Sequence, residues 1–264
     1  MTAADGGVDG GSGADAPDVG VPDGSVPDGT APDVSAPDAS VPDPSVPGVE
    51  ESALPSLNGD PLTDDPAVMS YLGPRYQAVR AFGQLLAEQG ELRGLIGPRE
   101  LGRIWDRHLL NSAAVVPFLG PGVVVDIGSG AGLPGLVIAS MEPSRRVVLV
   151  EPMERRTTWL REAAEMLGLD NVTVLRGRAE EVRDVVEADV VTARAVAAID
   201  KLVKWAAPLL APNGRMALLK GRSAAEELDK AKYSLRRAGL IGEVHSAPTV
   251  PGLEATTVVT LTRA

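Results

Sequence analysis

The stretch Val123-Val-Val-Asp126-Ile-Gly128-Ser129-Gly130-Ala-Gly132-Leu133-Pro-Gly135 reads, in order, as a buried strand, a glycine-rich turn and the start of a helix. β-Branched residues fill its first part. Gly128 and Gly130 then open backbone conformations closed to other residues and leave room for a ligand against the main chain. A loop in this position follows the first strand of the series, and parallel sheets bind ligands beyond the carboxyl ends of their strands.

The register bears on which ligand. A dinucleotide site expects G-x-G-x-x-G, with backbone amides facing a pyrophosphate. Counted from the strand end, the chain reads D-x-G-x-G-x-G and places Leu133 where the third glycine belongs. Counted from Gly130 the fingerprint fits through Gly132 and Gly135, but it then begins late for a tight turn off the strand. Spacing leaves both readings open. Asp126, just ahead of the glycines, suits a ligand bearing an ammonium group better than a pyrophosphate, which points to S-adenosyl-L-methionine.

Outward from this loop, short β-branched runs alternate with longer amphipathic segments. The pattern predicts strands at 123–127, 146–150, 172–175, 189–193, 215–219, 240–245 and 256–262. Helices are predicted at 133–141, 154–167, 199–210 and 224–238, with a shorter turn near 179–185. Such alternation predicts an α/β fold with a seven-stranded, mostly parallel, doubly wound sheet, closed by an antiparallel edge made of the last two strands. Glu151 ends the second strand, 25 residues after Asp126, where two carboxylate oxygens can accept both hydroxyls of a ribose. Gly177-Arg178-Ala179-Glu180 follows the third strand, and Thr192-Ala-Arg194-Ala195 ends the fourth. An arginine at a strand end over a cleft is costly to desolvate unless it meets an anion.

Ahead of the loop, residues 66–119 carry apolar side chains at helical spacing, punctuated by Gly90, Gly94 and Gly97-Pro98. This predicts a small helical N-terminal subdomain before a domain spanning 120–264. Residues 1–65 differ in kind. They contain no Lys, Arg, His or aromatic residue, and Pro-Asp recurs every five residues from Pro17 to Pro42. Too few large apolar groups are present to offset the entropy of ordering such a segment, so a disordered acidic tail is expected. The tail holds 14 of the 36 acidic side chains and none of the 25 basic ones, so residues 66–264 carry a net +3 although the whole chain is at −11. The tail's composition reads first as a solubilising leader with no specific role; the alternative is an acidic interaction arm, of the wrong charge to bind RNA, that shields a basic cleft or limits non-specific binding.

The chain has no cysteine, which excludes a disulfide framework, a thiolate metal site and a cysteine nucleophile. It opens without the basic and apolar regions of a signal peptide, and no apolar run reaches membrane-spanning length. A cytoplasmic protein without metal or membrane partner is the expectation.

Taken together, the motifs resemble the RsmG (GidB) family of 16S rRNA (guanine-N7) methyltransferases over residues 66–264. The segments that carry the likeness are Trp105-Asp-Arg107-His108-Leu-Leu-Asn111-Ser112, similar to the family's R-H-x-x-D-S, and Asp126-Ile-Gly-Ser-Gly-Ala-Gly-Leu-Pro-Gly135. Arg178-Ala-Glu-Glu181, Ala193-Arg-Ala195 and Leu218-Leu-Lys220-Gly221 follow in the same order. The resemblance implies a Rossmann-like class I methyltransferase using S-adenosyl-L-methionine, with cofactor contacts at Gly128, Leu133, Ala179, Glu180 and Arg194. It implies methylation of guanine N7 at nucleotide 527, in the decoding-region loop of 16S rRNA; a monomer acting on the rRNA within the 30S subunit is the expectation. In one departure, Asn111 stands where the family has Asp.

The expected cofactor set is therefore Asp126, Gly128, Ser129, Gly130, Gly132, Leu133, Glu151, Ala179, Glu180 and Arg194. The expected catalytic set is Arg107, His108, Arg194 and Lys220. A basic rim built from Arg99, Arg103, Arg107, Arg178, Arg194, Lys220 and Arg222 is expected to grip the RNA phosphates. Substitution of Arg194 or Lys220 by alanine is expected to weaken methylation far more than folding. Cytosine-C5 chemistry would need a cysteine, and exocyclic amino methylation commonly uses an Asn/Asp-Pro-Pro-aromatic motif where this chain has Thr192-Ala-Arg-Ala195. Alternatives are a class I methyltransferase for a small molecule or protein, a nucleotide-dependent oxidoreductase, and a non-catalytic ribosome-binding factor.

Overall fold

The computed structural model describes residues 57–264. The Pro-Asp repeats lie outside the described residues.

Asp65 starts the first helix by accepting the amides of Ala67 and Val68 with its carboxylate, and Pro66 fills the position where a missing N–H does no harm. This helix, α1 (Pro66–Leu72), leads into α2 (Tyr76–Gln89), which buries Val79, Phe82, Leu85 and Leu86 on one face. A 3-10 turn (Pro98–Arg103) precedes a π-helical stretch, Trp105–Leu110, that runs into the short α3 (Asn111–Ala113). Wide helical turns of this kind are frequent at functional sites.

From there strand and helix alternate: β1 (Val124–Ile127), α4 (Gly135–Met141), β2 (Val147–Glu151), α5 (Glu154–Met166), β3 (Val172–Arg176), β4 (Ala188–Arg194), α6 (Ile199–Ala206), β5 (Leu210–Lys220), α7 (Ala224–Lys230), α8 (Lys232–Ala238), β6 (Leu240–Ala247) and β7 (Thr256–Arg263). The seven strands form one sheet in the order β3-β2-β1-β4-β5-β7-β6. β7 alone inserts antiparallel, between β5 and β6. This is the Rossmann-like class I methyltransferase fold. The order reverses between β1 and β4, and ligands of open α/β sheets bind at such a switch point.

The sheet is covered on both faces. One side packs Val125, Ile127, Val191 and Leu218 against α6 and α8. The other packs Val124, Leu149 and Val190 against α4, α5 and the N-terminal helices. The helices of 66–119 thus share one apolar core with the sheet instead of building a subdomain with a core of its own.

The tail boundary moves as well. Leu57 is fully buried, and the buried Asp60 accepts the Trp105 amide at 2.9 Å. Trp105 Nε1 donates to Thr63 Oγ1 at 3.0 Å. Residues 57–65 therefore belong to the folded body, held by buried polar contacts that composition does not reveal. Two other bounds shift. Leu210, expected at a helix end, begins β5 by pairing with Ala188, and the strand bulges before resuming at Arg215 opposite Val190. The helix expected at 224–238 is broken at Ala231.

Candidate active site

The glycine loop is fixed from several directions. Asp126 sits between Leu149 and Thr192 in the sheet register and is completely buried. Its Oδ2 accepts the Gly135 amide at 3.1 Å, which ties the end of β1 to the start of α4. Ser129 Oγ donates to the Asp126 carbonyl at 2.9 Å, Gly132 N to the Ser129 carbonyl at 2.7 Å, and Trp159 Nε1 to the Ala131 carbonyl at 3.0 Å. Gly132 has φ +100°, and a Cβ there would come within 2.4 Å of Leu136 Cδ1, so only glycine fits.

Two cavities open at the carboxyl ends of the strands. The narrower, about 410 Å³, is lined by Gly128, Glu151, Arg178, Ala179, Glu180 and Val196, among others. Glu151 is almost fully buried in its wall, its Oε2 accepting the Gly130 amide and its Oε1 the Met153 amide, both at 3.0 Å. Each oxygen keeps a lone pair for a further donor. Gly128 is shaped for this surface, since its φ is +67° and a Cβ would stand 2.8 Å from Val196 Cγ2.

Gly128, Glu151, Ala179 and Glu180 thus meet at one cavity. Asp126, Ser129, Gly130, Gly132 and Leu133 are not among its lining residues. Asp126 Oδ2 and Ser129 Oγ hold the loop while Asp126 Oδ1 is buried without a hydrogen-bond partner among the described residues, Gly130 and Gly132 set the loop's path, and Leu133 is buried in the core. Through Oδ2 the Asp126 carboxylate supports the loop by holding the start of α4. Burial pushes its pKa up to about 7.

The wider cavity, about 810 Å³, lies on the other side of Ala195 and Val196, which line both. Ala195 takes φ +55°, a left-handed conformation costly for a residue with a Cβ and typical of sites where the backbone is held to a purpose. Arg194, just before it, is gripped by the π-helical stretch. Its Nη1 donates to the Arg107 carbonyl at 2.9 Å and to Asn111 Oδ1 at 3.3 Å, and its Nη2 lies 3.2 Å from His108 Nδ1. Asn111 Nδ2 in turn donates to Thr256 Oγ1 at 3.1 Å.

A guanidinium has no acceptor, so His108 Nδ1 must accept and the neutral ring carries its proton on Nε2. Burial first, then Arg194, lowers the His108 pKa to about 4. Arg194 itself has no ion-pair partner among the described residues, although Asp126 and Glu100 act on it at longer range.

Three members of the expected basic rim carry acidic partners. Arg103 pairs with Asp106, Lys220 with Glu227 at 2.7 Å, and Arg222 with Glu254 at 3.0 Å. Lys220 also donates to the Ala197 carbonyl at 2.7 Å. Arg178 lines the narrower cavity, and Arg99 lines neither. Arg107 is exposed at the wider cavity without an ion-pair partner among the described residues. Three of the seven rim cations are thus neutralised by an acid from a neighbouring turn, helix or loop, whereas Arg99, Arg107, Arg178 and Arg194 have no ion-pair partner among the described residues. Sequence reasoning missed Glu100, which lines this cavity beside His108. A lone acid in a polar loop gives no signal until the fold sets it there.

The sequence model described as GidB, rRNA small subunit methyltransferase G, matches residues 75–246. The chain belongs to this family. Relatives named ribosomal RNA small subunit methyltransferase G share 46% identity over 73% of this chain and 86% of the protein in Thermobifida fusca. In Leifsonia xyli the figures are 51% over 67% and 88%. In Mycobacterium leprae they are 51% over 66% and 73%. The family match includes the π-helical stretch, the glycine loop and Arg194, and so all of the narrower cavity and the wider one except its wall at Glu254–Thr257. No helix among the described residues is long and apolar enough to cross a membrane.

Proposed function

We propose that this GidB-family protein is an S-adenosyl-L-methionine-dependent methyltransferase acting on N7 of a guanine in small-subunit rRNA, nucleotide 527, within the 30S subunit. The observation that carries the reading is the meeting of the two cavities at Ala195-Val196, beside an arginine held by three acceptors. One cavity has the size and polarity for a nucleoside, and the other is open and polar.

The residues of the narrower cavity fit the cofactor. Glu151 offers free lone pairs for ribose hydroxyls, Gly128 leaves the main chain bare, and the turn opening at Ala179 and Glu180 borders the far end. S-adenosyl-L-methionine held there would supply an electrophilic methyl group for N7, with S-adenosylhomocysteine as the leaving group and the positive charge passing to the purine.

The chain's own work is to position. N7 carries an in-plane lone pair at neutral pH, so no group need remove a proton first. His108 fits that chemistry, because its Nδ1 is engaged by Arg194 and is not free to act as a base. Arg194, fixed on the end of β4 by Arg107, His108 and Asn111, keeps further N–H donors for an anionic or carbonyl group at the junction. Holding nucleophile and methyl in line is the main source of rate in such a reaction.

The test is transfer of labelled methyl from S-adenosyl-L-methionine to unmethylated 30S particles, free 16S rRNA, and a metabolite and protein extract in parallel. Label in the 30S particles or rRNA, recovered as 7-methylguanosine after digestion, is expected. Label only in the metabolite or protein fraction would overturn the reading.

A further inference from the structure

Four carboxylates line the wider cavity: Glu100, Asp106, Glu227 and Glu254. Three have a cation on them, supplied by Arg103, Lys220 and Arg222. Glu100 has no Lys or Arg partner among the described residues. Its basic neighbour is His108, whose Nε2 lies 3.6 Å from Oε1, just beyond hydrogen-bond reach.

Glu100 is nevertheless well oriented. Oε2 accepts the Gly97 amide at 3.1 Å, anchoring the carboxylate at the start of the 3-10 turn. Behind it the His108 side chain is 9% exposed, and its Nε2 is buried without a hydrogen-bond partner. Because Arg194 occupies Nδ1, the ring proton sits on Nε2 and faces Glu100. A carboxylate has about four acceptor sites, so the Gly97 amide leaves lone pairs open to the cavity.

We propose that Glu100 reads the target base as guanine, its carboxylate accepting N1–H and the 2-amino group of the purine's Watson–Crick edge. The proposal rests on the guanine-N7 reading above and adds the means of discrimination. N7 lies on the opposite edge of the purine, so a base held by N1–H and the amino group keeps its nucleophilic lone pair free. Adenine sets an acceptor at N1 against the carboxylate and has no 2-amino group, so it is repelled where guanine is bound. Pyrimidines have no N7. A carboxylate without its own cation is also the better neighbour for a base that becomes positively charged as it is methylated. His108 is then a positioning residue, its Nε2–H facing Glu100 from behind at 3.6 Å.

The experiment uses 30S particles reconstituted with 16S rRNA carrying guanine, inosine or 7-deazaguanine at the target position. Full-length wild type, Glu100→Gln and Glu100→Ala are compared by kcat/KM, with S-adenosylhomocysteine affinity measured by calorimetry. Inosine keeps N7, O6 and N1–H but lacks the 2-amino group. Wild type is expected to prefer guanine over inosine about tenfold, the effect of one hydrogen bond to a charged acceptor. Glu100→Ala is expected to lower the guanine rate about 100-fold and bring the guanine-to-inosine ratio close to one, with S-adenosylhomocysteine affinity unchanged within about twofold. Glu100→Gln keeps an acceptor for the Gly97 amide and is expected to fall between. Equal wild-type rates on guanine and inosine, or an unchanged ratio in both variants, would overturn the proposal while leaving the N7 reading intact. Methylation of the 7-deazaguanine particles would instead overturn the N7 reading itself.

Discussion

Arg194 Nη2 lies 3.2 Å from His108 Nδ1, joining the end of β4 to the π-helical stretch of the N-terminal helices. Two segments 86 residues apart in the chain are thereby set against one another at the junction of the two cavities.

This contact has a titration signature. With its pKa lowered to about 4, His108 binds no proton in the folded state near pH 5, whereas the unfolded chain does. The folded value is depressed, so the stability due to this group is full above about pH 6.5 and is lost as pH falls toward 4. Asp126 acts in the opposite sense. Its folded pKa is raised to about 7, so its contribution is full below about 3.8 and is lost as pH rises through 7. Asp126→Asn is therefore expected to raise Tm relative to wild type at pH 8 and to lose that advantage at pH 4. His108→Gln is expected to flatten the decline between pH 6.5 and 4. Thermal melts across pH check both, and parallel wild-type and variant curves would contradict the assignment.

Arg194 and Lys220 part company. Arg194→Lys keeps the charge but cannot engage the Arg107 carbonyl, His108 Nδ1 and Asn111 Oδ1 together, and is expected to cut kcat/KM about 100-fold with a small change in Tm. Lys220→Ala removes the ion pair to Glu227 and the bond to the Ala197 carbonyl, which join β5 to the region of α6 and α7. It is expected to cost about 1–3 kcal/mol of stability as well as activity. Urea titration alongside kinetics separates the two.

Gly132→Ala forces a Cβ to 2.4 Å from Leu136 Cδ1 at φ +100°. A loss of about 2–4 kcal/mol is expected from strain and overpacking together, with cofactor-analogue affinity falling as the loop shifts. Denaturant unfolding and S-adenosylhomocysteine calorimetry read the two effects.

Truncation tests where the folded body begins. Removal of residues 1–65 takes away Leu57, the Asp60 bond to Trp105 and the Thr63 bond to its indole, and is expected to lower Tm by several degrees. Removal of 1–56 spares these contacts and is expected to leave Tm unchanged. Any effect of the acidic repeats on RNA binding should therefore be measured on the shorter deletion, across salt concentrations.

The glycine loop and the strand ends were legible in the sequence because local rules govern them. β-Branched runs mark strands, and the glycines from Gly128 to Gly132 take positive φ as their spacing suggests. Asp126 and Lys220 stand out in the sequence, but their partners do not. Which way the Asp126 carboxylate points depends on the Gly135 amide arriving at α4, and whether Lys220 is free depends on Glu227 arriving from the following helix. Glu100 was not legible at all. Its significance lies in having no cation where three neighbouring acids have one, a relation that exists only in space.

The central claim is tested most directly by mapping the methylated atom in 16S rRNA. Unmethylated 30S particles are incubated with the protein and S-adenosyl-L-methionine, and the rRNA is treated with borohydride and aniline, which cleave at 7-methylguanosine. A single new scission at nucleotide 527, dependent on both enzyme and cofactor and absent with Arg194→Ala, is the expected result. Methyl incorporation without scission at that nucleotide, or scission elsewhere, would contradict the account.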